Sequence, residues 1–159
     1  MTVKATRRTA REWAIQMLTT ADLNPPEDVR SLIDAYWTQQ ATVEEYEGGT
    51  GPAFGGLKRF AERLVTGVLE RLPQLDEELG RHLEDWDISR LGTVERAVLR
   101  LGVWEMRFGD VPPPVEINEC VDLVNWFSSP RSRTLVNGVL DKIGRNIRGA
   151  TGAACGKKK

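Results

Sequence analysis

Apolar residues along this chain recur at intervals of three and four, and the intervals predict helices. Ala10, Trp13, Ala14, Met17, Leu18 and Ala21 share one face of a first helix, from about Thr6 to Ala21, which Asn24-Pro25-Pro26 ends. Val29, Leu32, Ile33, Tyr36 and Trp37 form the face of a second. Leu57, Phe60, Ala61, Leu64, Val65, Val68, Leu69 and Leu72 make a longer stripe, and Pro73 closes it and opens a fourth helix carrying Leu75, Leu79 and Leu83. A fifth helix starts near Thr93, turns Val94, Ala97, Val98, Leu101 and Trp104 inward, and stops at Gly109-Asp110. Pro114 to Phe127 supplies the sixth, with Ile117, Val121 and Val124 as its core face.

The stretch SSPRSRTLVNGVLDKIGR, residues 128–145, holds Asn137-Gly138, a pair that commonly marks a hairpin turn. The alternation a hairpin needs is absent on both sides. Leu135, Val136, Val139, Leu140 and Ile143 gather instead on one side of a seventh helix, with Ser132 read as its N-cap and Lys142 and Arg145 near its end. A glycine inside a helix costs roughly 1 kcal/mol relative to alanine. Gly138 is therefore expected to let this helix approach another closely, the first helix being the candidate.

No segment alternates as a strand does. The expected fold is all-α, about seven helices in one domain over residues 1–150, packed as one unit or as two small sub-bundles. The stretch EEYEGGTGPAFGG, residues 44–56, reads as a glycine-rich surface loop, and residues 151–159 as a flexible basic tail. No Gly-Lys-Ser/Thr follows those glycines and no strand precedes them, which argues against a phosphate-binding loop.

A chain of 159 residues with 40% hydrophobic and 28% charged positions is an ordinary soluble domain. It has no apolar run of membrane-spanning length and no signal-peptide core, so a cytoplasmic protein is expected. The net charge of −1 conceals an asymmetry. Residues 1–11 hold Lys4, Arg7, Arg8 and Arg11 and no acid; residues 131–159 hold eight basic residues against Asp141 alone; the acids concentrate between. Two basic ends on an acidic body suit a polyanion. On the first helix Arg7, Arg8 and Arg11 fan over roughly a quarter-turn beside the apolar stripe.

Catalytic chemistry is poorly supplied. His82 is the only histidine and has no ligand-spaced cysteine, so no metal site is expected. Cys120 falls beside an apolar face, where cysteine acts as a small hydrophobe, and Cys155 lies in the tail, so no disulfide is expected. Glu116, Glu119 and Asp122 are read as solvated helix acids. No enzyme activity and no cofactor are expected.

Five ordered motifs then carry a resemblance: RRTAREWAIQML, FAERLVTGVLE, VERAVLRL, VEINECVDL and LVNGVLDKI. Together they resemble the NusB family of bacterial transcription antitermination factors, from about Arg7 to Ile147, with residues 44–56 as an insertion. The same domain also resembles the N-terminal part of certain ribosomal RNA cytosine methyltransferases; no cofactor-binding domain follows here, and a stand-alone factor is expected. The resemblance implies an RNA-binding role in the antitermination complex of RNA polymerase: binding of boxA-type single-stranded leader RNA, jointly with NusE, a small-subunit ribosomal protein. It places RNA contact on Arg7, Arg8, Arg11 and Gln16 and on Phe127, Arg131 and Ser132, and NusE contact near Glu95. The charge pattern independently picks the same arginines. Thr19 and Leu135 stand where relatives often carry aromatic rings, and Arg131 stands where the loop can be acidic, which predicts an altered base preference with backbone recognition kept. The alternative reading is a helical protein-interaction adaptor without RNA binding.

Overall fold

The computed structural model describes residues 3–40, 46–47, 52–83, 87–127 and 129–156, with side chains described over 5–40, 52–83, 87–125 and 129–149. The chain divides into two units, Met1–Glu70 and Arg71–Lys159.

The first unit holds α1 (Arg7–Leu23), α2 (Val29–Gln40) and α3 (Pro52–Glu70), plus a two-residue parallel pairing of β1 (Val3–Lys4) with β2 (Tyr46–Glu47). Thr6 caps α1 reciprocally with Thr9: the Thr6 N–H donates to Thr9 Oγ1 at 3.0 Å, and the Thr9 N–H donates back to Thr6 Oγ1. The expected stripe of α1 is buried, and Arg11 and Ile15 are buried with it, so the inward arc is wider than the apolar spacing alone implies. Trp13 stands edge-on to Trp37 and Phe54, with centroids 5.3 and 5.5 Å away. Leu32, Ile33, Ala61, Leu64, Val65 and Val68 complete this core. The glycine-rich stretch needs a correction: α3 begins at Pro52, so residues 52–56 are its first turns. Pro at the opening of a helix removes an N–H that has no partner there, which offsets the two glycines that follow. The rest of that stretch, apart from Tyr46–Glu47, lies outside the described residues.

The second unit holds α4 (Leu72–His82), a 3-10 turn (Ile88–Arg90), α5 (Thr93–Phe108), α6 (Pro113–Phe127) and α7 (Pro130–Gly156). Consecutive residues 97–106 of α5 are all buried except the half-buried Arg100, as in a helix packed on every side. Arg100 grips Asp76 of α4 with Nε and Nη2 at 2.8 and 2.9 Å. Val136, Val139, Leu140 and Ile143 of α7 are buried as expected. The backbone of α7 runs on through Gly156, into the segment read as a tail; residues 157–159 lie outside the described part.

Gly138 does not serve close approach. It is exposed, and a Cβ there would meet no described atom within 4 Å. The tight positions are Gly102, where a Cβ would stand 3.0 Å from Cys120 Sγ and from Leu140 Cδ1, and Gly144, where it would stand 3.1 Å from Pro113 Cβ. Ser132 is likewise not the cap of α7. Ser129 is, accepting from the N–H groups of Ser132 and Arg133 on its carbonyl at 3.1 and 3.3 Å, with Pro130 as first helical residue. Glu116, read as a solvated acid, is fully buried and accepts from the Cys120 thiol at 3.2 Å.

Candidate nucleic-acid interface

Arg7 and Arg8 open α1 directly after its cap, in a first turn with no acid. The positive end of the helix dipole and the two guanidiniums add there, a local arrangement that favours an anion. The α3 ring Phe60 collects the cations. The guanidinium carbon of Arg7 lies 4.8 Å from its centroid, and those of Arg11 and Arg63 lie at 5.5 Å. Each such contact contributes roughly 0.5–1 kcal/mol at an exposed site.

Exposure separates the three predicted arginines. Arg7 is exposed, Arg8 half-buried, and Arg11 retains 5% of its surface. An arginine that deep contributes through its packed stem as well as its charge. Arg7→Ala is therefore expected to flatten the dependence of log affinity on log salt by about 0.7, the share of one single-strand phosphate contact. Arg11→Ala is expected to lower the melting temperature as well, which thermal denaturation of the two variants would read.

Gln16 is half-buried, and its side-chain carbonyl accepts from Tyr36 Oη at 2.6 Å. Its backbone carbonyl accepts from both Thr19 Oγ1 and Thr20 Oγ1 at 2.9 Å. The Thr19 hydroxyl is thus turned back onto the helix. Tyr36 of α2 reaches Gln16 through its hydroxyl.

In the second unit a groove of about 410 Å³ is lined by Arg90, Leu91, Glu95, Arg131, Ser132 and Leu135, among others. Ser132 Oγ donates to Glu95 Oε1 in a short hydrogen bond. The residue expected to meet RNA and the residue expected to meet NusE are therefore bonded to each other. Glu95 sits in the first turn of α5, where a carboxylate suits the dipole, and it folds over Gly92: a Cβ on Gly92 would collide with Glu95 Oε2. The 3-10 turn that brings Arg90 to the groove is capped by Asp87, which accepts the Ser89 N–H at 3.1 Å; that bond holds its carboxyl below the ordinary aspartate range. A pKa lowered on folding favours the capped turn above the unfolded pKa, and this support is lost as pH falls through the folded value. Arg131 is exposed at the start of α7. Phe127 ends α6, and its side chain lies outside the described residues.

Phe60, Arg63, Tyr36, Arg90 and Gly92 were not among the residues expected from sequence. Arg63 had a signal, since with Arg59 it flanks the α3 stripe at an interval of four. Phe60 read only as core. Among the described residues no three His, Cys, Asp or Glu side chains converge as metal ligands, and no helix is long and apolar enough to cross a membrane.

A chain of two units built from seven helices among the described residues, with arginines leading the first helix and a polar groove at the start of the last, is the class that these features define. The comparisons give the family. Residues 8–145 match the NusB family, and the chain belongs to it. It is 36% identical to the transcription antitermination protein NusB of a Nitratiruptor species, over 91% of this chain and 95% of that one. To the same protein of Bacillus licheniformis it is 38% identical, over 86% and 95%. Among solved structures, T. maritima NusB superposes with a TM-score of 0.74 at 28% identity, covering 90% of this chain and 93% of the other. A crystal structure of the antitermination factors NusB and NusE in complex with dsRNA gives 0.72 at 28% identity, covering 88% and 96%.

Proposed function

We propose that this chain is a non-enzymatic, cytoplasmic antitermination factor that binds boxA-type leader RNA together with NusE and supports transcription of ribosomal RNA by RNA polymerase. The observation that carries the reading is the leading turn of α1. Arg7 and Arg8 occupy the first turn of a helix, at the positive end of its dipole, and that turn contains no acidic residue, an arrangement that favours a phosphate there. The relative solved with NusE and dsRNA supports the choice of partners. Arg7 and Arg8 contact the RNA backbone, Arg11 positions the cluster on Phe60, and Arg131 with Ser132 contacts RNA at the groove. Phe127 adds a stacking ring, and Gln16 reads or orients the strand at the Tyr36 side. NusE docks against Glu95. Assembly is the mechanism, and no cofactor enters it.

The adaptor reading draws on the burial of Arg11 and on the missing rings at Thr19 and Leu135. A gel-shift series with boxA-like and scrambled RNAs, with and without NusE and across salt, separates the two. RNA retention that weakens with salt and favours boxA supports the proposal. No retention at low salt, with NusE still bound, makes the chain an adaptor.

A further inference from the structure

Arg7 and Arg63 meet the same ring from different helices, and both are exposed. Among the described residues neither has a carboxylate partner. The acid next to them on α3, Glu62, is engaged elsewhere: Arg30 Nη2 and Trp37 Nε1 donate to its Oε1 at 3.2 and 3.0 Å. One turn before Arg63, on the same edge of α3, stands Arg59, also exposed. Like charges gathered around one ring repel each other, while the ring holds the guanidiniums through its face and leaves their N–H edges available. The ligand chemistry that relieves such a cluster is a dianion or a run of anions, and a nucleic-acid backbone supplies a run.

We infer that the RNA backbone crosses from α1 onto α3, with Arg63 and Arg59 as further phosphate-binding residues and Phe60 as the ring that sets Arg7 and Arg63 on one strand. This inference rests on the RNA-binding reading above. It adds a helix that neither the sequence motifs nor the arginine-rich α1 assigned to RNA. Guanidiniums from two helices constrain the direction of the strand, which arginines on a single helix edge do not.

The test is fluorescence anisotropy of a boxA-type RNA oligonucleotide titrated with the full chain over a series of salt concentrations. Arg63→Ala is expected to reduce the salt slope by about 0.7, which is about fivefold in affinity at 0.1 M relative to 1 M salt. Arg59→Ala is expected to reduce it by a similar amount. Arg63→Lys keeps the charge and should keep the slope, which separates a phosphate contact from a merely structural role. Arg81→Ala, at an exposed position in the second unit where the guanidinium pairs with Glu77, should leave the slope where it was. If the parent binds RNA in a salt-dependent way and both alanine variants match its slope, α3 is off the path, and the RNA-binding reading stands without it. If the parent shows no salt-dependent binding at all, the reading and the inference fall together.

Discussion

Replacing Glu95 with alanine is expected to weaken NusE binding while raising the RNA affinity of the free chain severalfold. The two effects have one origin. In the free chain the Ser132 hydroxyl donates to Glu95, and a hydroxyl has one proton to give, so it cannot at the same moment donate to a phosphate. On the proposed reading, a partner that engages Glu95 releases that proton for RNA. Docking also covers a negative charge in the same groove as Arg131 and Arg90. NusE and RNA should therefore bind with mutual advantage, and linkage requires that each tighten the other by the same factor. A coupling of about 1–3 kcal/mol, roughly 5–150-fold, is the usual range for such pairs. In Glu95→Ala the proton is already free, so the coupling should shrink towards none. Gly92→Ala offers a gentler version: the new methyl collides with Glu95 Oε2 and displaces the carboxylate without removing it. Titrations of labelled RNA with each variant, in the presence and absence of NusE, measure all of this. The mechanism fails if NusE leaves the parent's RNA affinity unchanged, or if Glu95→Ala abolishes RNA binding by the free chain.

Gly102→Leu is expected to destabilise the second unit by about 3 kcal/mol or more, at the upper end of overpacking penalties. A single Cβ already meets Cys120 Sγ and Leu140 Cδ1 at 3.0 Å, and the remaining atoms of leucine have no space on a helix buried over this length. Gly138→Ala should do the opposite. Its Cβ points into open space and gains helix propensity, worth up to about 1 kcal/mol. Chemical denaturation of the pair gives opposite shifts in midpoint. A Gly102→Leu variant as stable as the parent would remove the close packing of α5 against α6 and α7 from the account.

The contrast between these two glycines marks where sequence reading reaches its limit. Periodicity states which arc of a helix is buried, and the arcs of α1, α3, α5 and α7 were legible for that reason. It does not state which neighbour fills the space beside a given residue. Gly138 drew attention because its dipeptide is a turn signal, whereas Gly102 sits unmarked inside VLRLGVWEM. Ser132 and Ser129 are equally good caps by composition, and Pro130 decides between them only once the helix is known to start there. Glu116 reads as surface by type, and only the packing of α6 shows it inside. For the candidate site, the charge pattern picked out the arginines of α1 and the start of α7. The Phe60 cluster and the Glu95 to Ser132 bond were beyond it, because each joins residues that are distant in sequence.

The passage from α6 to α7 is two residues long, since one helix ends at Phe127 and the next begins at Pro130. Proline fixes its own φ and restricts the residue before it, and Ser129 is further tied by the N–H groups it caps. Fixing a residue's backbone costs about 1–2 kcal/mol of conformational entropy, and here much of that cost is met during folding. Arg131 and Ser132 are thus presented in advance, as part of a helix. RNA recognition at this corner, as proposed, needs no ordering of a long loop, so changes in affinity among variants there should appear chiefly in how slowly the complex dissociates.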